Sequence, residues 1–275
     1  MTNYEIELSL TKTFPREILK QFSTAVEQYR LINPGDSIAV CISGGKDSML
    51  MAKLFQLYRR HSRTEWELHF LVMDPGYGKD NRRRIEENAR LMNIPIEVFE
   101  TDIFGSVYNV KNNPCFLCSK MRRGHLYNRA KELGCNKIAL GHHFDDVIET
   151  ILMSMIYGGQ VETMLPKVKS AHFPGMQLIR PMYLIRESDI IRWCGYCGLE
   201  FLRCACRFTE ENSRLPDKKR SSTRLKIKQL IAELAKDNPQ IEMNIFNSVQ
   251  KIKLNKIMSY KDQDGIHTFL DGFDE

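Results

Sequence analysis

The chain has 275 residues, of which 43% are hydrophobic and 27% are charged, a composition within the range of globular proteins that bury one sizeable core or two smaller ones. Lys and Arg outnumber Asp and Glu by 40 to 34, and this mild basic excess fits a polyanionic partner and a solvated enzyme surface about equally well. The first residues lack the basic and apolar regions of a signal peptide, and no run approaches the ~18 apolar residues of a membrane-spanning helix, so we expect a cytoplasmic protein with no membrane partner.

Short apolar runs and helical patterns alternate along most of the chain. A helical pattern precedes the first strand, and most strands are followed by a helix. Crossovers of this length make the strands parallel, so the sequence predicts an α/β fold with a doubly wound, five-stranded parallel sheet. The predicted strands are residues 37–42, 68–73, 96–99, 137–140 and 178–179, and the predicted helices are residues 17–29, 46–58, 82–92, 114–133, 146–157, 187–197, 220–235 and 241–257.

The same pattern divides the chain into three segments. Residues 1–34 are expected to form an N-terminal helical addition, residues 35–200 the α/β domain, and residues 201–275 a C-terminal helical segment. A lid-like loop is expected from Gly158 onward, where the alternation of strands and helices weakens. Helical additions are therefore expected at both ends of the α/β domain.

The first predicted strand runs directly into Ser-Gly-Gly-Lys-Asp-Ser and then into an apolar helix. The glycines allow a sharp turn that brings backbone N–H groups against phosphate oxygens, and the helix N-terminus adds partial positive charge. The lysine adds a full charge, the serines add hydroxyl donors, and Asp47 is expected to cap the helix. The spacing is not that of the Walker P-loop, so ordinary γ-phosphate hydrolysis is not the first expectation. The candidate ATP-binding residues are Ser43, Gly44, Gly45, Lys46, Asp47 and Ser48.

In this strand-to-helix context, the motif resembles that of the PP-loop family, the ATP pyrophosphatases of adenine nucleotide α-hydrolase-like fold. The resemblance implies that ATP is split between its α and β phosphates and that a carbonyl oxygen is adenylylated. Lys46 is then a catalytic residue that stabilises the phosphate charge of the transition state. A glycine turn that merely caps a helix is the alternative interpretation.

A second motif, Gly-His-His-Phe-Asp-Asp-Val-Ile-Glu-Thr over residues 141–150, lies at the carboxyl end of the fourth predicted strand. Open α/β sheets bind ligands at this edge, so the motif is expected beside the phosphate loop. Asp145 and Asp146 are candidate catalytic residues, and one of them is a candidate ligand of Mg²⁺, which prefers a carboxylate together with substrate oxygens. The alternative is a capping box formed by Asp146 and Glu149.

Three further residues at this edge are candidate ATP ligands. Gly141 and His142 open the second motif, and Asp74 ends the second predicted strand. Asp74 equally well begins a turn, because it precedes a Pro-Gly pair. His142 and the following histidine could instead satisfy hydrogen bonds at the end of the strand.

Eight cysteines in a chain without a secretion signal are better candidates for metal binding than for disulfides. Cys115 and Cys118 lie on one face at the start of a predicted helix, a position that favours thiolates. Four cysteines further along the chain could complete a site, which leaves zinc and an iron–sulfur cluster both open. These four are Cys194, Cys197, Cys204 and Cys206, whereas Cys41 and Cys135 are expected in the core.

The order of these motifs, followed by Arg180-Pro-Met-Tyr and a later cysteine, resembles the TtcA family, which makes 2-thiocytidine in tRNA. The resemblance covers roughly residues 36–249. It implies a [4Fe-4S] cluster held by Cys115, Cys118 and one downstream cysteine, with one iron free to carry sulfide. We choose Cys206, with Cys204 as the alternative, because the residues after Cys206 resemble the C-terminal segment of the family.

The TtcA resemblance also implies the reaction and its partners. ATP with Mg²⁺ would adenylylate the C2 carbonyl oxygen of a tRNA cytidine, and sulfur would then replace that oxygen. The sulfur would come from a cysteine desulfurase or from inorganic sulfide, and the family suggests a homodimer. Basic stretches at residues 79–84, 122–123 and 218–228 agree with a tRNA substrate, although solvated helix faces explain their charge about as well.

Two rival interpretations remain from the sequence alone. The first is a PP-loop ligase or thiolase that acts on another base or on a small molecule, with zinc stabilising the fold. The second is a non-catalytic nucleotide-sensing or RNA-binding module that has kept the loop and lost turnover. Iron and sulfide analysis separates the first from the TtcA interpretation, and release of pyrophosphate separates the second.

Overall fold

The computed structural model describes residues 1–108, 114–202, 223–271 and 273, and of residues 107–108 and 114–116 it describes the backbone only. Its main sheet has the strand order β3-β2-β1-β4-β6-β5, in which the first five strands are parallel and β5 is an antiparallel edge strand. The predicted five-stranded parallel sheet is therefore confirmed. The strands are β1 (Ser37–Ile42), β2 (Glu67–Asp74), β3 (Ile96–Glu100), β4 (Lys137–Ala139), β5 (Lys167–Lys169) and β6 (Gln177–Ile179).

Ten α-helices are assigned in the described part of the chain, and they include the crossovers that make the strands parallel. Two π-helical turns, Ser9–Thr13 and Pro15–Leu19, lie between the first and second helices. The helices are α1 (Asn3–Leu8), α2 (Lys20–Gln28), α3 (Lys46–His61), α4 (Lys79–Leu91), α5 (Ile103–Tyr108), α6 (Pro114–Glu132), α7 (Phe144–Gly158), α8 (Glu187–Cys197), α9 (Thr223–Asp237) and α10 (Ile241–Ser248).

The helix predicted over residues 241–257 is too long. Helix α10 ends at Ser248, whose hydroxyl donates to the carbonyl of Ile245, and a separate 3-10 turn follows at Leu254–Lys256. Serine hydroxyls that bond to the backbone compete with helix continuation, which accounts for the early end. A short antiparallel hairpin, β7 (Ser259–Lys261) and β8 (Ile266–Thr268), comes next.

The N-terminal helices share a hydrophobic core with the sheet. Ile6, Leu10 and Phe22 are buried in the same cluster as Ile38 of β1 and Phe55 of α3. Burial of such side chains stabilises the fold by roughly 1.5–3 kcal/mol each. The N-terminal segment is therefore packed against the α/β domain, while the predicted division of the chain at residues 34 and 200 stays a prediction.

Contacts divide the described residues into two compact units. The first contains residues 1–147 and 165–202, and it holds the whole main sheet. The second contains residues 148–164 and 223–271 with residue 273, and in it Arg224 of α9 lies 3.4 Å from Glu149 of α7. Within the ranges that the structure describes, no helix has the length and apolar character needed to cross a membrane.

Candidate functional site at the carboxyl edge of the sheet

The Ser-Gly-Gly-Lys-Asp-Ser segment forms the turn between β1 and α3, as predicted. Gly44 has φ +80°, and a Cβ atom there would lie 2.6 Å from the side chain of Ile85. Both the left-handed backbone and the close packing therefore require glycine at this position. The backbone N–H of Leu202 donates to the carbonyl of Gly44 (3.1 Å), so the chain returns to this loop after α8.

Two serines hold the loop in its turn. The backbone N–H of Ser43 donates to the hydroxyl of Ser48 (3.1 Å), and that hydroxyl donates to the carbonyl of Gly45 (2.9 Å). The prediction that Asp47 caps α3 is wrong, because the N-cap is Gly45 and no described side chain caps it. Asp47 instead pairs with the adjacent Lys46, which leaves the first turn of α3 suited to an anionic ligand.

Lys46 lies between two carboxylates. Its Nζ atom is 2.9 Å from Oδ1 of Asp47 and 3.1 Å from Oε1 of Glu187, the first residue of α8. Burial lowers the pKa of Lys46, but the two carboxylates outweigh that effect, so its pKa is raised above the ordinary value. The side chain is therefore a full positive charge at neutral pH. Glu187 was not among the predicted site residues.

Gly141 brings the second motif against the phosphate loop. A Cβ atom built on Gly141 would lie 3.2 Å from the backbone N of Ser48 and 3.2 Å from the backbone C of Asp47. The predicted adjacency of the two motifs is thus present in the structure. His142, also a candidate ATP ligand, follows Gly141 at this edge and is half-buried, whereas His143 is buried.

We expect Gly141→Ala to weaken ATP binding by about three- to tenfold, a fraction of the ~100-fold cost of a 1 Å misplacement. The added methyl group meets backbone atoms of α3, which must shift by a few tenths of an ångström. Calorimetric titration of ATP measures the effect. Gly195→Ala is the matched control, because its Cβ atom enters open space on an exposed helix position, and equal affinities for the two variants would contradict the proposed contact.

The two aspartates of the second motif have different partners. Asp146 takes part in a reciprocal cap at the start of α7, in which the N–H of His143 donates to its Oδ2 atom (3.1 Å) and its own N–H donates to Nδ1 of His143 (3.4 Å). The alternative prediction, a capping box formed by Asp146 and Glu149, is therefore wrong, because the cap pairs Asp146 with His143. Glu149 has Arg224 as its partner, since it lies one turn further along α7.

Asp145 joins α7 to α8. Its Oδ1 atom accepts a hydrogen bond from Nη2 of Arg186 (3.1 Å), and its Oδ2 atom accepts one from the backbone N–H of Glu187 (2.6 Å). The carboxylate thus sits at the positive N-terminus of α8. Both oxygens of Asp145 therefore have protein donors, and the Mg²⁺ ligand predicted at Asp145 or Asp146 stays a prediction.

Asp74 occupies the end of β2, as predicted, and its contacts match those of a turn residue. Its Oδ1 atom accepts from the N–H groups of Gly76 (2.9 Å) and Tyr77 (2.6 Å), and its Oδ2 atom lies 3.0 Å from Nη1 of Arg82. Arg82 also pairs with Glu86 and Glu100, and these hydrogen bonds raise its pKa. These contacts favour a structural role for Asp74.

The predicted cluster cysteines fall partly within the described residues. Cys115 and Cys118 belong to the start of α6, and Cys118 packs against Met73 and Ile103. Met73 immediately precedes Asp74, so Cys118 lies close to the carboxyl end of β2. Cys204 and Cys206 fall outside the described residues, and so does the side chain of Cys115, so the three-cysteine ligand set stays a prediction.

The remaining cysteines belong to the core. Burial raises the pKa of Cys41 and of Cys194 to about 12, and burial also raises the pKa of Cys135 and of Cys197. Thiols with raised pKa values are poor metal ligands. Among the described side chains, no three His, Cys, Asp or Glu residues form a group that could hold a metal ion.

Comparisons with known proteins show the family of the chain. A model described as a PP-loop domain matches residues 12–211. A tRNA-cytidine(32) 2-sulfurtransferase of Coxiella burnetii (strain RSA 493 / Nine Mile phase I) is 33% identical over 256 residues, which are 91% of this chain and 95% of that protein. One from Syntrophotalea carbinolica (strain DSM 2380 / NBRC 103641 / GraBd1) is 33% identical over 86% of this chain and 90% of its own length.

A solved structure has the same fold. It is the U34-tRNA thiolase NcsA from Methanococcus maripaludis with its [4Fe-4S] cluster, which superposes with a TM-score of 0.63 at 19% identity and covers 85% of this chain and 79% of that one. The likeness confirms the predicted fold type. The family model and the 33% identical relatives together show that the chain belongs to the PP-loop family and, within it, to the tRNA-cytidine 2-sulfurtransferases, the TtcA family.

Proposed function

We propose that the protein catalyses ATP-dependent thiolation of tRNA, by adenylylating the C2 carbonyl oxygen of a cytidine and replacing that oxygen with sulfur. The family to which the chain belongs consists of ATP-dependent sulfurtransferases that act on tRNA. The observation that carries the proposal is the contact of Gly141 with Asp47 and Ser48, because a shared ATP site requires the two motifs to meet.

ATP would lie over residues 43–48, with its phosphates at the N-terminus of α3. Lys46 provides the charge for the pyrophosphate part, and an incoming phosphate takes over the contacts that Asp47 and Glu187 now make with its Nζ atom. Asp145 or Asp146, in the motif that Gly141 brings against this loop, would hold Mg²⁺ against the phosphate oxygens. Because the hydrogen bonds of Ser43 and Ser48 already hold the loop in its turn, less reorganisation is needed when ATP binds.

The reaction balances in two steps. The C2 carbonyl oxygen of cytidine attacks the α-phosphorus, a new P–O bond forms, and the bond to the β-phosphate breaks with release of pyrophosphate. Hydrosulfide, from inorganic sulfide or from a desulfurase persulfide reduced by two electrons from thiols, then adds to C2, and the C–O bond breaks with release of AMP. Lys46 stabilises the negative charge that grows on the departing pyrophosphate.

Cys115, Cys118 and Cys206 would hold a [4Fe-4S] cluster, and when bound it would supply an iron with an open position for hydrosulfide. Two observations support this ligand set. Cys118 lies in the first turns of a 19-residue helix, near the end of β2, where the helix dipole favours thiolates. In addition, Leu202 is hydrogen-bonded to Gly44 of the phosphate loop, and Cys204 and Cys206 follow it closely in the sequence.

The test is a nucleoside analysis of tRNA from cells that lack the protein, measured by mass spectrometry. We expect 2-thiocytidine to disappear, to return with the wild-type chain, and to stay absent with Cys118→Ser. The matched control is Cys135→Ser, because Cys135 is buried in the core beside Ser37 and should support the modification. Anaerobically purified protein should contain iron and sulfide rather than zinc.

Other outcomes would contradict the proposal. Loss of a different thiolated nucleoside would support the thiolation chemistry but show that the enzyme acts on another base. Zinc without sulfide in the purified protein would refute the proposed iron–sulfur cluster. Unchanged 2-thiocytidine in cells that lack the protein would refute the proposed substrate.

We further propose a cytoplasmic homodimer, as the family resemblance suggests, and sedimentation of the purified protein tests its oligomeric state.

A further inference from the structure

Arg180 occupies the carboxyl edge of the sheet at a strand that carries neither motif. It directly follows β6, and its backbone N–H donates to the carbonyl of Pro166 (2.9 Å). The strand order places β6 two strands from β1, with β4 between them. At a spacing of about 4.8 Å per strand, Arg180 is therefore roughly 10 Å from the start of the phosphate loop.

One nitrogen of the Arg180 guanidinium group has no hydrogen-bond acceptor among the described residues. The Nη1 atom donates to the carbonyl of Leu165, whereas the Nε atom is buried and finds no hydrogen-bond acceptor among the described residues. Burial lowers the pKa of Arg180 to about 10, against the opposite effect of Tyr183, Tyr127 and Asp146. A buried donor without an acceptor costs about 1–3 kcal/mol, so an anionic ligand would remove a real penalty.

A cation, two phenol groups and a carboxylate lie within electrostatic range of Arg180. Arg123, exposed on α6, lowers the pKa of Arg180 by repulsion, whereas Tyr183, Tyr127 and Asp146 raise it. Tyr127 is one turn beyond Arg123 on α6, and its ring is stacked on Phe173 with centroids 4.7 Å apart. A second cation, exposed to solvent, therefore lies within electrostatic range of Arg180.

We propose that Arg180 and Arg123 form a second anion site, which binds a backbone phosphodiester of the RNA substrate. Because Nη1 of Arg180 is anchored to Leu165 and Nε has no acceptor among the described residues, Nε is the donor of the guanidinium fork that we assign to a phosphate oxygen. The inference rests on the proposed function for its RNA. It adds a contact that orients the nucleotide next to the phosphate loop.

The distance between the two anion sites argues against ATP as the ligand of both. The phosphate loop at β1 and Gly141 beyond β4 surround one site, and Arg180 at β6 lies beyond them. We therefore assign a separate anion to Arg180, and RNA is the polyanion that the proposed reaction supplies. Binding of an ATP phosphate at Arg180 is one outcome of the test below.

Arg180→Met tests the site, since methionine keeps much of the volume and removes the buried charge. We expect affinity for unmodified tRNA to fall roughly ten- to hundredfold, and the slope of log affinity against log salt to become shallower by about 0.7–0.9. Affinity for ATP, measured by calorimetry without RNA, should stay within twofold. Arg180→Lys should restore part of the affinity and of the salt slope, because it restores the charge without the fork.

Arg129→Met is the matched control on α6, because Arg129 is paired with Glu97 and Glu132 and lies outside the proposed site. Exposed Arg123→Gln provides a second variant that does not disturb the core, and we expect it to lower the salt slope as well. Loss of ATP affinity with tRNA binding unchanged would assign Arg180 to ATP. Unchanged affinities in folded Arg180→Met and Arg123→Gln proteins would overturn the site.

The same experiment separates this inference from the proposed function. A wild-type protein that binds RNA through Arg180 yet forms no 2-thiocytidine would keep the anion site and refute the reaction. A protein that thiolates tRNA with the same KM in wild type and Arg180→Met would keep the reaction and refute the site. A wild-type protein that binds no RNA would refute the second anion site.

Discussion

Lys46→Ala is expected to lower the rate of pyrophosphate release by about a hundred- to a thousandfold, the range found when one preorganised charge-stabilising donor is removed. The substitution removes the only lysine of the phosphate loop and leaves the carboxylates of Asp47 and Glu187 facing the incoming phosphates. The effect should appear in kcat more than in the KM for ATP, because the interaction strengthens as charge develops.

Pyrophosphate release in single-turnover reactions measures this effect, and iron content should match that of the wild type. Lys236→Ala is the control, because Lys236 is exposed on α9 and pairs only at the surface with Glu233 (2.7 Å). A Lys46→Ala protein with more than a third of the wild-type rate would refute the catalytic assignment. It would also revive the interpretation of the loop as a glycine turn that caps α3.

Asp36→Ala should lower the free energy of unfolding by about 3–5 kcal/mol, because it leaves a buried lysine without its partner. Lys137 is 1% exposed, and its Nζ atom donates to Asp36 and to the carbonyl of Leu31 (2.8 Å). Asp36 also accepts from the side chain of Asn136 (2.8 Å). At roughly 2–4 °C per kcal/mol, Tm should fall by about 6–20 °C.

Thermal or denaturant unfolding checks this prediction, with Asp80→Ala as the exposed control, since Asp80 is 91% exposed and its partner Arg83 is also at the surface. We expect Asp80→Ala to change stability by less than ~1 kcal/mol. The double variant with Lys137→Met should regain much of the loss, because it removes the unpaired charge. Equal stability of Asp36→Ala and Asp80→Ala would show that the buried pair contributes little.

The sheet and the phosphate loop were predictable because their signals are local. Val40 and its neighbours form an apolar run that ends near two glycines. The apolar run indicates a buried strand, and the glycines indicate a sharp turn. The π-helical turns at the N-terminus, in contrast, have no local signature. The burial of Leu10 depends on the core that the sheet provides, and such tertiary context is absent from any short window of sequence.

The partners of the site residues were beyond local reasoning for the same reason. Asp145 contacts Arg186 and Glu187, which are 41 and 42 residues away in the chain. Nothing in the sequence around Glu187 indicates that its carboxylate meets Lys46. The pattern therefore located the motifs at one edge of the sheet, while the assignment of each charge to its partner required coordinates.

The contact of Lys46 with two acids determines which anions can compete for the loop. The ammonium group is paired with both carboxylates, and if the loop binds ATP as proposed, a small anion such as chloride would bring too little charge to displace them. A magnesium-bearing polyphosphate would bring several charges at once and would displace them. On the proposed function, the loop would therefore select against the abundant simple anions of a cell.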